Sequence, residues 1–264
     1  LKKIYEESYE DIEKINKNNY KKYIKPDFAE RNNSNTPLIE IENCSIEYNK
    51  NENKIKDFSL KVSASDFISI TGKSGTGKSS ILNLISGLIY PSEGNILIKG
   101  KKINFQNQME IIDWRKNIAY VPQQVHIIES SIEENIAWEF YKDKISLNKE
   151  RIKLLRHICC IEDKHLLGNS KNSILAEGGY SISGGQKQRI GIARSLYKKD
   201  KKLLILDESL SGVEENCQKE IIKRLRSFFP EMAIILVTHN KEISKLAEKS
   251  ILLGLNNEKK EINS

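Results

Sequence analysis

The sequence predicts an α/β fold built on a mostly parallel central sheet, and three observations carry that expectation. Leu203-Leu-Ile-Leu206 and Ala233-Ile-Ile-Leu-Val237 are short, continuous apolar runs, the pattern of strands buried on both faces of a parallel sheet. Gln218 to Phe228 lies between them with helical periodicity, which gives the order strand, helix, strand. A further strand, Asp66-Phe-Ile-Ser-Ile-Thr71, runs through a glycine-rich stretch into the apolar helix Ser80 to Leu88. Crossovers of this kind place successive strands side by side and parallel.

The other elements follow in chain order. From Leu1 to about Ile24, Leu1, Tyr5, Tyr9 and Ile12 recur at helical spacing among Glu and Lys, an amphipathic helix that Pro26 terminates. Asn32 to Pro37 reads as a linker, which sets the organisation as a helix and linker over 1–36 and a catalytic domain over 37–264. Leu38-Ile-Glu-Ile-Glu42 reads as a strand, and so does Asn95-Ile-Leu-Ile-Lys99 after the turn Pro91-Ser-Glu-Gly94. The middle, Ile132 to Leu196, has few strand signals and is expected to form a helical insertion over about 124–194.

Composition narrows the function classes. The 264 residues are enough to bury a substantial core. The formal charge of +7 comes from lysines spread along the chain with Glu and Asp between them, the pattern of a solvated surface, so no specific nucleic-acid partner is expected. Cys44, Cys159, Cys160 and Cys217 lack metal-ligand spacing and are expected to be reduced thiols of a cytosolic compartment. No apolar run reaches the roughly 18 residues that a membrane span needs. The chain starts at Leu1 without an initiator Met, which is read as the cut edge of a domain from a longer polypeptide.

The firmest chemical motif is Gly72-Lys73-Ser74-Gly75-Thr76-Gly77-Lys78-Ser79, which fits G-x-x-x-x-G-K-[ST] between a strand and a helix. Its glycines let successive backbone N–H groups converge on phosphate oxygens, and the helix that continues through Ser80 adds the positive end of its dipole. Lys78 is placed to neutralise the β- and γ-phosphates of ATP, and the Ser79 hydroxyl to take one position around Mg²⁺. Asp207 and Glu208 end the strand Leu203 to Leu206, where side chains of a parallel sheet point into the ligand crevice. Asp207 then serves the metal, and Glu208 is the candidate base that orients or deprotonates the attacking water. Taken alone, two such acids are more often a helix N-terminal cap, and the phosphate loop upstream inverts that preference.

Ile182-Ser183-Gly184-Gly185-Gln186-Lys187-Gln188-Arg189 closely resembles the signature LSGGQxQR of ABC ATPases. Further residues fall in that family's order over about Leu38 to Leu253: Tyr48 resembles the adenine-stacking aromatic, Gln123 the Q-loop glutamine, Ser211 to Glu214 the D-loop, and His239 the switch histidine. The resemblance implies a RecA-like P-loop NTPase core with an antiparallel β subdomain and a helical subdomain. It also implies that Gln123 touches Mg²⁺ and the attacking water, and that His239 bonds the γ-phosphate. Ser183, Gly184, Gly185 and Gln186 are implied to cover ATP held by a second ABC ATPase domain. The implied membrane partner is a transmembrane domain, fused upstream or separate, with this domain on the cytoplasmic face of the cell membrane. By themselves Tyr48 could cover a core edge, Gln123 could be a turn residue, and His239 could be a satisfied strand-end histidine.

Subclass signals divide. Asn117 to Gln124, Ser130 to Ile136 and Glu177-x-Gly179 look like the exporter pattern, which is the expectation taken forward. Leu210-Ser211-Gly212 and Val237-Thr238-His239-Asn240 look more like importer-type or lipoprotein-release ATPases. Glu214 stands where the family's D-loop has Asp, and the tail after Leu253 lacks the family's glycine-bearing turn. An ABC ATPase acting on DNA would separate Gly72 from Ser183 by a long coiled coil, which this spacing does not provide.

Overall fold

A computed structural model describes residues 36–49, 52–138, 147–161, 174–175, 182–254 and 259–263, all within the unit Ser34–Ser264. The expected helix over Leu1 to Ile24 and the Glu177-x-Gly179 motif lie outside the described residues.

Two sheets organise the fold. The larger has six strands in the order β12, β11, β3, β10, β9, β6: Lys259–Asn263, Lys249–Leu253, Phe67–Gly72, Ala233–Val237, Leu203–Asp207 and Ile118–Val121. All neighbours pair in parallel except the edge pair β11 and β12. The apolar runs of the sequence form its centre, and Leu203 to Leu206 and Ala233 to Val237 are fully buried, as two-faced burial requires. The smaller sheet is antiparallel, in the order β2 (Glu52–Val62), β1 (Ile39–Asn49), β4 (Glu93–Ile98), β5 (Lys101–Lys102). One continuous core joins Ile39, Ile41 and Phe58 of this sheet to Ile68, Ile70 and Ile235 of the other.

Helices cover the parallel sheet. Helix α1 (Lys78–Ile85) buries Ile81, Leu82, Leu84 and Ile85. It stops one turn short of the Leu88 expected from the sequence, because the chain turns at Ser86 and Gly87 and leaves Leu88 exposed. Helix α2 (Gln108–Lys116) is tied to its end by the Trp114 indole N–H, which donates to Ile85 O at 2.8 Å. Strand β6 then delivers the chain to Gln123.

In the middle stretch, α3 (Ile132–Ala137), α4 (Lys149–Ile158) and α5 (Gly184–Ser195) are accompanied by a two-stranded pair, β7 (Ser130–Ser131) with β8 (Ile174–Leu175). Arg194 of α5 holds this region together. Its Nε donates to Asn135 O at 2.7 Å, its Nη1 to His126 O at 2.8 Å, and its guanidinium lies 4.0 Å from the Trp138 ring centroid. Asn135 is fully buried and satisfied on both ends of its amide, accepting from Ile128 N and donating to Ile128 O, each at 3.1 Å. Helix α6 (Glu215–Phe228) and the short α7 (Lys241–Ser244) complete the described helices.

Candidate functional site

Four parallel strands end at one edge of the sheet, and the candidate residues follow from those ends. Strand β3 ends at Gly72, β6 leads to Gln123, β9 ends at Asp207 and β10 leads to His239. Register explains the convergence, since Val237 sits opposite both Ile70 and Asp207, and Val121 opposite Leu206.

The loop from Gly72 to Gly77 folds tightly. A side chain at Gly72 would stand 2.7 Å from Leu253 O, while Gly75 and Gly77 take φ of 82° and 92°. Thr76 closes the turn by donating its hydroxyl to Lys73 O at 2.9 Å. Gly77 caps α1 without a side chain, whereas Asn107, Ser131, Asn148, Ser183 and Asn240 each accept at least one first-turn N–H at their own helices. That leaves α1 as an anion receptor. The Lys78 ammonium is buried and donates to Gly72 O at 2.9 Å and Lys73 O at 3.0 Å. Lys73, Ser74 and Ser79 are exposed, and Ser80 is buried.

Glu208 is the hub of the site. Its backbone has φ of 49°, an arrangement that costs a residue with a side chain on the order of 1 kcal/mol. The turn is held by Glu208 N donating to Val237 O and Ser211 N donating to Glu208 O, both at 3.1 Å. The carboxylate accepts from Gln123 Nε2 at 3.0 Å, contacts His239 Nε2 at 2.9 Å and lies 3.9 Å from Lys78 Nζ. The residues expected from the sequence as base, water-positioning amide, switch histidine and phosphate cation therefore touch one another.

Asp207 has a partner that the sequence did not reveal. Tyr120 on β6 donates its hydroxyl to Asp207 Oδ2 at 2.8 Å. Burial pushes the Asp207 carboxyl above its ordinary range and Glu208 adds to this, while the Tyr120 hydrogen bond and the Lys78 charge oppose it. The Ile-Ala-Tyr-Val run of β6 was the available signal, a polar ring tip in a buried strand beside the acidic one.

Oxygen donors for Mg²⁺ are present in kind: the Ser79 hydroxyl, the Asp207 carboxylate and the Gln123 amide. Among the described residues no three His, Cys, Asp or Glu side chains gather as an all-protein cage. That suits Mg²⁺, which takes few protein ligands and completes its shell with water and phosphate.

The signature residues open α5. Ser183 and Gln186 form a reciprocal cap: Gln186 N donates to Ser183 Oγ at 3.3 Å and Ser183 N donates to Gln186 Oε1 at 2.6 Å. Within the chain the signature packs on the D-loop. A side chain at Gly185 would stand 2.3 Å from Gly212 O, and Gly212 N donates to Gln188 Oε1 at 2.8 Å. The glycine at 185 thus has a packing reason that the motif alone did not disclose. Glu214 caps α6 without a side-chain bond, a difference from the short Asp, which reaches the first-turn N–H groups from that position. Tyr48 lies in β1, and its side chain is outside the described residues.

The sequence matches the profile of ABC transporters over residues 55–211. The chain belongs to the ABC transporter family. Its parallel sheet, antiparallel sheet and helical region are those of a P-loop NTPase of the ABC type. Similar proteins include a putative export ATP-binding/permease protein of Rickettsia typhi, 35% identical over 210 residues that make up 79% of this chain and 35% of that protein. An ATP-dependent lipid A-core flippase of Pasteurella multocida is 31% identical over 216 residues, 81% of this chain and 36% of that protein. The structure of a bacterial Atm1-family ABC exporter with ATP bound matches with a TM-score of 0.73 at 25% identity, over 87% of this chain and 39% of that one. The ABC chain described here spans about a third of the length of these curated relatives. No helix among its described residues is long and apolar enough to cross a membrane.

Proposed function

We propose that this chain is the ATP-binding and ATP-hydrolysing domain of an ABC exporter. One observation carries the reading: the Glu208 carboxylate is held between Gln123 and His239, at 3.0 and 2.9 Å, and faces Lys78 of the phosphate loop. That arrangement sets a base and two polar groups beside the cation that would meet the terminal phosphate. Phosphoryl transfer depends chiefly on positioning and charge stabilisation, which these residues supply.

In this reading the loop N–H groups and Lys78 bind the phosphates, and Tyr48 stacks on adenine. Ser79, Asp207 and Gln123 hold Mg²⁺, which supplies charge neutralisation across the phosphates. Glu208 orients the attacking water and accepts its proton, and His239 contacts the terminal phosphate. Ser183, Gly184, Gly185 and Gln186 serve the ATP of a second ABC ATPase domain, so each working site needs two domains. In support, among the described residues Ser183, Gly184 and Gly185 make no hydrogen bond to the loop of their own chain. ATP then acts as a ligand of the closed dimer and shifts the open–closed equilibrium by its preference for that state. A transmembrane domain completes the transporter and places this domain at the cytoplasmic face of the membrane. The export and flippase names of the relatives favour an exporter over the importer type suggested by the spellings at Leu210 to Gly212 and Val237 to Asn240.

Glu208→Gln tests the reading. Hydrolysis should fall by roughly a hundredfold or more while ATP binding persists, because the amide keeps the shape and loses the base. Turnover near the unmutated rate would remove Glu208 from the chemistry.

A further inference from the structure

The two acids that end β9 are held by different means. Glu208 meets Gln123 and His239, whereas among the described residues the Asp207 carboxylate takes one side-chain hydrogen bond, from Tyr120. The register of β6 on β9 explains that contact. Tyr120 lies opposite Ile205 and Val121 opposite Leu206 in a parallel pair. Side chains alternate between the faces of a sheet, so Tyr120, Ile205 and Asp207 stand on one face, with Val121 and Leu206 on the other. The first is the face that α1 covers: Ile118, Leu203 and Ile205 share a core cluster with Ile81, Leu82 and Ile85, and Tyr120 packs against it. Tyr120 and Asp207 are thus diagonal neighbours, one strand apart and two residues along, a separation that an aromatic side chain can span. The Tyr120 hydroxyl closes it, donating to Asp207 Oδ2 at 2.8 Å.

We infer that Tyr120 is a positioning residue for the metal site: by donating to Oδ2 it fixes the rotation of the Asp207 carboxylate and leaves Oδ1 to serve Mg²⁺. The inference rests on the reading of Asp207 as a metal residue given under the proposed function. The torsion that turns an aspartate carboxylate is broad, so packing alone does not choose which oxygen faces the ligand crevice. A donor on one oxygen does choose, and it does so before the metal arrives. Outer-shell hydrogen bonds act in this way on ligating carboxylates and raise metal affinity by fixing their orientation.

The same bond serves a second oxygen donor. Backbone pairing of β6 with β9 ends at Val121 and Leu206, and the Tyr120 hydroxyl adds a tie to the next residue of β9. Gln123 follows two residues after Val121, so the tie also steadies the strand end that delivers its amide. The ring and the hydroxyl have separable duties. The ring fills space against the core, which a phenylalanine would do as well. The hydroxyl has no such duty, and its loss leaves Asp207 without its side-chain donor.

Tyr120→Phe tests the inference through binding rather than turnover. Calorimetry would follow a β,γ-imido analogue of ATP, first in excess EDTA and then over a Mg²⁺ series. In EDTA the variant should bind the analogue as tightly as the unmutated chain does. The Mg²⁺ concentration that half-saturates the tighter, metal-dependent binding should rise roughly tenfold. With Mn²⁺ in place of Mg²⁺, electron paramagnetic resonance should show a matching increase in free metal beside the analogue. Asp207→Ala should raise the requirement at least as far, and adding Tyr120→Phe to it should change nothing further, because the hydroxyl then has no carboxylate to orient. A raised requirement in Asp207→Ala with none in Tyr120→Phe would overturn the inference and leave Asp207 as a metal residue. An unchanged requirement in both would overturn the metal reading of Asp207 and the inference together. Equal weakening with and without the metal would make Tyr120 a structural residue only, and so would overturn it as well. Tyr120→Met, which fills space without a donor, gives the same reading if the phenylalanine variant does not fold.

Discussion

Adjacent glycines of the signature should respond in opposite ways to the same substitution. A methyl group added at Gly185 would stand 2.3 Å from Gly212 O and 3.0 Å from Gly212 C. That is about 1 Å inside an ordinary carbon–oxygen contact, and the obstacle is backbone that cannot rotate away. Relieving the overlap costs about 1–3 kcal/mol. Displacing Gly212 by that distance also breaks its hydrogen bond to Gln188 Oε1, worth about 1 kcal/mol. The better helix propensity of alanine returns at most about 1 kcal/mol. The net expectation for Gly185→Ala is a loss of about 1–3 kcal/mol, which at this size lowers Tm by roughly 2–12 °C. Gly184 has no atom within 4 Å of a Cβ and no positive φ, so Gly184→Ala should leave Tm unchanged or slightly raised. Thermal unfolding followed by circular dichroism, with a urea titration beside it, reads both. Equal melting temperatures for the two variants would refute the packing argument, and so would a larger loss at Gly184.

Three other substitutions probe separate parts of the account. Lys78→Ala removes the ammonium that bonds Gly72 O and Lys73 O, and should weaken ATP by roughly tenfold to a hundredfold while leaving adenosine affinity unchanged. Tyr48→Ala should instead weaken ATP and ADP by one common factor, corresponding to about 1–3 kcal/mol, because stacking does not sense the terminal phosphate; calorimetric titration of all three ligands separates the two patterns. Arg194→Lys should destabilise by about 2 kcal/mol or more in urea unfolding, since a single ammonium cannot serve Asn135 O, His126 O and the Trp138 face together. A loss within about 0.5 kcal/mol would show that the guanidinium fork is dispensable.

Motif chemistry was legible where a residue's role is set by its place at a strand end. Gly72, Asp207 and Glu208 could be brought to one edge from sequence because parallel strands all present their C-terminal ends there, whereas Gln123 and His239 were placed with them only by the family resemblance. The apolar runs of β9 and β10 were legible for the same reason, being buried on both faces. Strand β2 was not, because its lysines and the register shifts against β1 break the alternation that marks a half-buried strand. Strand β1 was read only as far as Glu42 and continues to Asn49. Contacts that depend on tertiary register left no trace in the motifs: the Tyr120 hydroxyl on Asp207, Gly212 against Gly185, and Arg194 around Asn135. Ser183 illustrates the middle case, since S-x-x-Q before a helix announces a reciprocal cap that the structure contains, while the signature motif directs attention to a ligand.

Mixing two inactive variants tests the composite site most directly. Ser183→Arg alters the signature and Lys78→Ala the phosphate loop, and each homodimer then has two damaged sites. A heterodimer assembles one site with both lesions and one with neither. The account predicts that Ser183→Arg monomer still binds ATP, that neither variant alone hydrolyses it appreciably, and that the mixture recovers part of the unmutated rate. It also predicts that the specific activity of the unmutated chain rises with protein concentration. No recovery on mixing, together with loss of ATP binding in folded Ser183→Arg and activity independent of concentration, would place the signature at its own chain's nucleotide and contradict the two-domain site.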